Sequence, residues 1–190
     1  MMSNETMKSC IDLLFKMYDD DKEDTFINKH TKGIILEFMG GEPFMNVDVM
    51  SYGSQYFIDE CIKRDHIWLT NFRFSISTNG VLYFEDKVQE YLKKFFPFIN
   101  LNITIDGPKE LHDSCRKDYE GNGSFDRAIA ALRDWKKHAT MPSTKVTIAP
   151  ENLQYLHLIA KFFMDEGCTE IFANPIYEHE WTIEEAKVYY

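Results

Sequence analysis

Cysteine is scarce and scattered in this 190-residue chain. Cys10, Cys61, Cys115 and Cys168 include no close pair, which excludes a zinc or cluster loop of the usual short spacing. With a cytosolic setting expected, a disulfide framework is excluded as well, and most of the four read as small buried hydrophobes. Basic residues are also in deficit, with 21 Lys and Arg against 31 Asp and Glu and a formal net charge of −10. Nucleic acid and anionic lipid are bound largely by clustered cations, so neither partner is expected. No apolar run approaches the roughly 20 residues needed to span a bilayer, and MMSNETMKSC lacks the basic-then-apolar order of a signal peptide. The expected location is therefore cytoplasmic. Repeats, low-complexity tracts and linkers are missing too, so residues 1–190 read as one domain. A chain that is 44% hydrophobic and 15% aromatic supports one substantial core rather than two.

What the chain does contain is an alternation. Apolar Met7, Ile11, Leu14, Phe15 and Tyr18 recur at helical spacing behind a possible Ser3 cap. The run DDDKED then breaks the pattern and reads as a solvated loop, since no glycine-containing calcium-loop spacing accompanies it. Strands are predicted over Gly33–Phe38, Phe72–Thr78, Leu101–Ile105, Lys145–Ile148 and Ile171–Ala173. Helices are predicted over Val47–Arg64, interrupted by a weakening Gly53, and over Glu85–Phe95, Phe125–His138 behind Ser124, and Leu153–Glu166. A final helix, Thr182–Tyr190, takes Thr182 as its cap, with Glu184 and Glu185 in the first turn. Connections of this length join parallel strands, so the expected class is α/β.

In such folds the loops after the strands' carboxyl ends collect ligand groups. The first visible strand runs into Gly40-Gly41-Glu42-Pro43. Paired glycines remove the Cβ atoms that would keep a ligand off the backbone, Glu42 adds a carboxylate, and Pro43 has no N–H. This corner offers acceptors more than donors, which suits an ammonium group. The simpler alternative is a tight turn. The second strand ends in Ser77-Thr78-Asn79-Gly80, whose hydroxyls and amide suit a ribose or form an ordinary Asn-Gly turn. After the third strand comes Thr104-Ile105-Asp106-Gly107-Pro108 and a long loop with His112, Asp113 and Arg116. Arg116 suits a two-pronged grip on a carboxylate, or a surface ion pair with Asp113 or Glu120. Asp106 suits acid-base chemistry or bracing of its own turn, and His112 a base or a backbone-bonded loop histidine. The fourth strand ends in Ile148-Ala149-Pro150, an apolar contact for a flat ring, and the fifth in Asn174-Pro175. Tyr177 and Trp181 read as packing groups.

In their order, LEFMGGEP, SISTNG, LNITIDGPKELHDSCRKD and the later GSFD resemble the radical S-adenosylmethionine enzymes. The resemblance is particularly to the branch of peptide and protein maturases that includes the anaerobic sulfatase-maturing enzymes. The resemblance runs from about Gly33 to Asn174 and implies a partial (βα)6 barrel. It further implies that Gly40, Gly41, Glu42 and Pro43 hold the amino group of S-adenosylmethionine, with Ser77 and Asn79 near its ribose. Thr104 stands where relatives often have serine, Asp106 falls within the same cofactor-binding set, Arg116 matches the arginine that holds the cofactor's carboxylate, and Ile148 lies close to the adenine.

Such enzymes hold a 4Fe–4S cluster on a Cys-x3-Cys-x2-Cys loop after the first strand, and that spacing is absent here. The expectation is a piece of a longer enzyme that has lost its first strand and cluster loop and stops before any cysteine-rich extension. By itself it is expected to be inactive. In the intact parent, reductive cleavage of S-adenosylmethionine would give a 5′-deoxyadenosyl radical that modifies a peptide or protein substrate. Two other functions are weighed: a cluster-less nucleoside-binding or protein-interaction module, and an α/β enzyme using Asp106, His112 and Asp113. A missing first strand would also expose a sheet edge, which predicts self-association.

Overall fold

The chain is described by a computed structural model that covers residues 2–139 and 142–189. These divide into two compact units, Met1–Ile76 with Glu85–Asn100 and Ser77–Phe84 with Leu101–Tyr190. The expected Thr182–Tyr190 helix ends on a residue outside the described ones.

The first unit contains α1 (Asn4–Asp20), β1 (Ile34–Phe38), α2 (Val47–Lys63), most of β2 (Phe72–Thr78) and α3 (Asp86–Phe95). Ser3 caps α1 as expected, accepting from the Thr6 N–H at 3.1 Å, and the helix buries Ile11 and Phe15. Gly53, a weak residue in an isolated helix, is explained by contact. A Cβ there would lie 2.6 Å from the Met7 side chain, so the glycine lets α2 approach α1. β1 and β2 pair in parallel from Ile34↔Phe72 to Phe38↔Ile76.

Aromatic rings fill this unit's core. Trp68, fully buried in a 3-10 turn at Ile67–Thr70, lies 5.4 Å from Phe15 and 6.4 Å from Phe57, and its Nε1–H donates to the Thr31 carbonyl at 2.9 Å. The indole is thus both packed and hydrogen-bonded, as a buried tryptophan needs to be.

The second unit contains β3 (Ile99–Thr104) from Leu101 onward, α4 (Lys109–Cys115), α5 (Phe125–Trp135) and β4 (Ser143–Ile148). After these come α6 (Pro150–Leu153), α7 (Leu156–Asp165), β5 (Glu170–Pro175) and α8 (Ile183–Tyr189). β3 pairs in parallel with β4, with Thr104 opposite Lys145, and β4 pairs in parallel with β5 from Ser143↔Glu170 to Ile148↔Pro175. Side chains alternate between two faces along a strand. Leu101, Ile103, Val146 and Ile148 are buried on one face. Asn102, Thr104, Ser143, Lys145 and Thr147 occupy the other, so one side of this sheet is built of polar groups.

Several expected boundaries move. β3 starts earlier and ends at Thr104, β4 starts at Ser143, and β5 extends over Glu170–Pro175. The expected Leu153–Glu166 helix is two pieces, Leu153 closing α6 and Leu156 opening α7, and Asn152 turns its side chain back on the backbone that leads into α6. Its Oδ1 accepts from the Ala149 N–H at 2.8 Å and its Nδ2 donates to the Thr147 carbonyl at 2.9 Å. Residues after Pro108, expected to be loop, form α4. Thr182 caps α8 as expected, in a capping box with Glu185: the Glu185 N–H donates to Thr182 Oγ1 at 3.2 Å and the Thr182 N–H to the Glu185 carboxylate at 2.8 Å.

Candidate functional site

The Gly-Gly-Glu-Pro corner lies in the first unit, directly after β1. Gly40 has φ +137°, a conformation that L side chains rarely adopt, and a Cβ at Gly40 or Gly41 would meet nothing within 4 Å. The corner's backbone therefore faces open space, as a ligand contact requires. Glu42, expected among the acceptors for an ammonium, has a local task as well: its Oε1 accepts from the Phe44 N–H at 3.1 Å and caps the turn Pro43–Asn46. Pro43 is buried at the first position of that turn. An apolar groove of about 440 Å³ runs along β1 beside this corner, lined in part by Met7, Leu14, Ile35, Met39 and Pro43.

The polar face of the second unit holds the densest network. Asp106, 3% exposed, accepts from Arg116 Nε in a very short contact, from Arg116 Nη2 at 3.4 Å and from the Thr147 N–H at 2.8 Å. Arg116 Nη2 also donates to Thr147 Oγ1 at 3.1 Å. One buried carboxylate therefore ties the end of β3, the end of α4 and the carboxyl end of β4 together. Asp106 is saturated by these bonds, so it holds Arg116 in place and does not brace its own turn. Nor does Arg116 pair with Asp113 or Glu120. Of its five N–H donors, those on Nε and Nη2 are engaged, while among the described residues no partner is recorded for Nη1. The Arg116 side chain is 30% exposed. A guanidinium locked on one edge and open on the other is ready for an acidic group.

Other expected site residues divide between the two faces. Ser77 is half-buried, and its Oγ lies 2.9 Å from Lys145 Nζ. Thr104 is half-buried opposite Lys145 in the ladder. Asn79 Oδ1 accepts from the Val81 N–H at 2.9 Å, and Thr78 Oγ1 from the Gly80 N–H at 3.0 Å, so this corner is the self-bonded Asn-Gly turn. Ile148 is fully buried on the apolar face. Its side chain is part of the core. Lys145 and Thr147 were missed at the sequence level, although the alternation of Ser143, Lys145 and Thr147 with apolar neighbours carries that signal.

His112 is a brace and not a base. The Asp106 N–H donates to its Nδ1 at 3.1 Å, so that nitrogen is unprotonated and Nε2 donates to Ser124 Oγ at 2.9 Å. Asp113 replaces the expected Ser124 cap of α5: its Oδ1 accepts from the Phe125 N–H at 2.9 Å, and Lys109 Nζ lies 3.0 Å from Oδ2. Burial holds the His112 pKa below its ordinary value of 6.5. The His66 pKa is lowered by the same cause; that ring accepts from the Trp68 N–H and keeps Nε2 buried without a partner. Because both neutral forms belong to the folded state, stability is full above pH 6.5 and falls as pH drops through 6.5, where the unfolded chain takes up protons first. Urea midpoints recorded between pH 7.5 and pH 5.5 should fall accordingly, and a flat profile in that window would refute the neutral, bracing role.

No group of three or more His, Cys, Asp or Glu side chains among the described residues is arranged to hold a metal. All four cysteines are free and separate, so the residues do not fit a 4Fe–4S cluster. No helix of the described residues is long and apolar enough to cross a membrane.

No protein-family model matches the chain. Two curated relatives do: a cysteine-type anaerobic sulfatase-maturating enzyme of Clostridium novyi, 28% identical over 166 residues, and a serine-type one of Bacteroides thetaiotaomicron, 27% identical over 167. This chain is a homologue of the anaerobic sulfatase-maturating enzymes. Each match takes in 82% of the chain but only 42% and 36% of the respective relative, so the chain spans less than half the length of these sulfatase-maturating proteins. Solved structures of anSMEcpe share the fold across the whole chain. One with bound AdoMet superposes with TM-score 0.75 at 16% identity, and one with AdoMet and a peptide with TM-score 0.73 at 17%; the chain covers 50% of each. The fold is thus the α/β partial barrel of the sulfatase-maturating structures, as expected.

Proposed function

We propose that this chain is the S-adenosylmethionine-binding part of a radical S-adenosylmethionine enzyme that modifies a peptide or protein side chain. The observation that carries the reading is Arg116, fixed by Asp106 and Thr147 with its Nη1 edge left open, at the position the motif order assigns to the cofactor's carboxylate. Ser77 and Thr104 would offer hydroxyls on the same polar face of the second unit. When bound, S-adenosylmethionine supplies the adenosyl group for hydrogen abstraction. This chain's own residues bind and orient it.

The cysteines do not fit a cluster, so the chain alone would be inactive in reductive cleavage. The relatives' names and the peptide in one anSMEcpe structure support a peptide substrate for the parent. The lack of cluster ligands favours a second reading, a cluster-less module that binds the nucleoside without chemistry.

Calorimetry with S-adenosylmethionine and S-adenosylhomocysteine tests the binding claim common to both readings. Arg116→Ala is expected to weaken binding about 10- to 100-fold, the range for a hydrogen bond to a charged group. Arg116→Lys should lie between wild type and alanine. Unchanged affinity in a folded Arg116→Ala variant would remove the carboxylate contact and the reading with it.

A further inference from the structure

Lys145 is a charged residue on the polar face that the proposed function does not use. It projects from the middle of β4, opposite Thr104 in one neighbouring strand and Phe172 in the other. Thr147, the partner of Arg116, stands two residues further on and faces the same way. Lys145 is half-buried, and its Nζ lies 2.9 Å from Ser77 Oγ.

The chemistry of that contact has one direction. An ammonium carries three donors and no acceptor, whereas a hydroxyl carries one donor and two acceptor lone pairs and otherwise rotates to suit its surroundings. Lys145 must therefore donate and Ser77 must accept. The Ser77 proton is turned away from the lysine, and the hydroxyl is left with a donor to give. A hydroxyl oxygen that accepts from a cation is also polarised into a better donor.

We propose that Lys145 is a positioning residue that sets Ser77 as a hydrogen-bond donor toward an acceptor oxygen of the bound nucleoside, before the ligand arrives. The inference rests on the S-adenosylmethionine reading above and deepens it. It assigns Ser77 a donor role toward a ribose oxygen and gives Lys145 its effect through Ser77, without a ligand contact of its own.

A thermodynamic cycle on the 190-residue chain tests this, with S-adenosylhomocysteine as the titrant and melting by circular dichroism as the check that each variant is folded. Lys145→Met keeps the apolar stem and removes the donor. It is expected to weaken binding about three- to tenfold, the range of one ordinary hydrogen bond. In a Ser77→Ala background the same change should cost nothing further, because its route is gone. Lys145→Arg, still a donor-only cation, should restore most of the affinity. Equal losses in both backgrounds would mean that Lys145 acts on the ligand or the fold directly, and would overturn the proposal. No loss in Lys145→Met, with Arg116→Ala still weakening binding, would overturn the proposal and leave the cofactor reading standing. Absence of binding by the wild-type chain would overturn both.

Discussion

Asp106→Ala should destabilise the chain by about 3 kcal/mol, the low end of the range for removing one partner of a buried ion pair. The low end applies because Arg116 is 30% exposed and part of its orphaned charge can turn to water. The loss has two sources. The Thr147 N–H loses its acceptor near the carboxyl end of β4, and Arg116 keeps only Thr147 Oγ1, so a buried donor and a charge are both under-satisfied. Urea unfolding gives the size. A double variant, Asp106→Ala with Arg116→Met, should recover part of the loss, since the unpaired charge is then gone as well. A single-variant loss below about 1 kcal/mol would show that the carboxylate is not the tie between β3, α4 and β4 that the geometry describes. The same variant should also free Arg116 to swing and so weaken ligand binding without touching the ligand.

Trp68→Ala is expected to cost about 3 to 5 kcal/mol, the range for truncating a large buried aromatic side chain. Trp68 is fully buried against Phe15 and Phe57, residues on two helices and therefore poorly placed to collapse into the space. By the usual scaling for domains of this size the melting temperature should fall by about 6 to 20 °C. Trp68→Phe separates packing from bonding: it keeps a ring but loses the donor to the Thr31 carbonyl, and should cost about 1 to 2 kcal/mol. Scanning calorimetry decides this, and a phenylalanine variant as damaging as the alanine one would put the hydrogen bond ahead of the packing.

Local patterns in the sequence were legible and long-range pairings were not. Strand and helix alternation, the Ser3 cap and the Thr182 cap all depend on residues a few positions apart, and each stands as expected. The stretch Lys109–Cys115 reads as loop because KELHDSC has almost no apolar periodicity; its helix is held by bonds through His112 and by Asp113, which also caps α5. Arg116 was legible as an anion-binding group, but its partner was not. Asp106 finds Arg116 across a helix and Thr147 across a strand pairing, and neither separation leaves a trace in a window of neighbouring residues. Ile148 shows the same limit from the other side, since the face of a strand that its side chain occupies depends on register.

The parallel ladders also set the order of assembly. Ile103 and Thr144, bonded across β3 and β4, lie 41 positions apart in the chain, and no tight hairpin can bring such strands together. Helical turns can therefore form early from neighbouring residues, while sheet contacts wait on the closure of long loops, which slows folding relative to a helical bundle of equal size. A ribosome releasing this chain must emit an entire strand, a crossover helix and the start of a second strand before the first rung of any of these ladders can close.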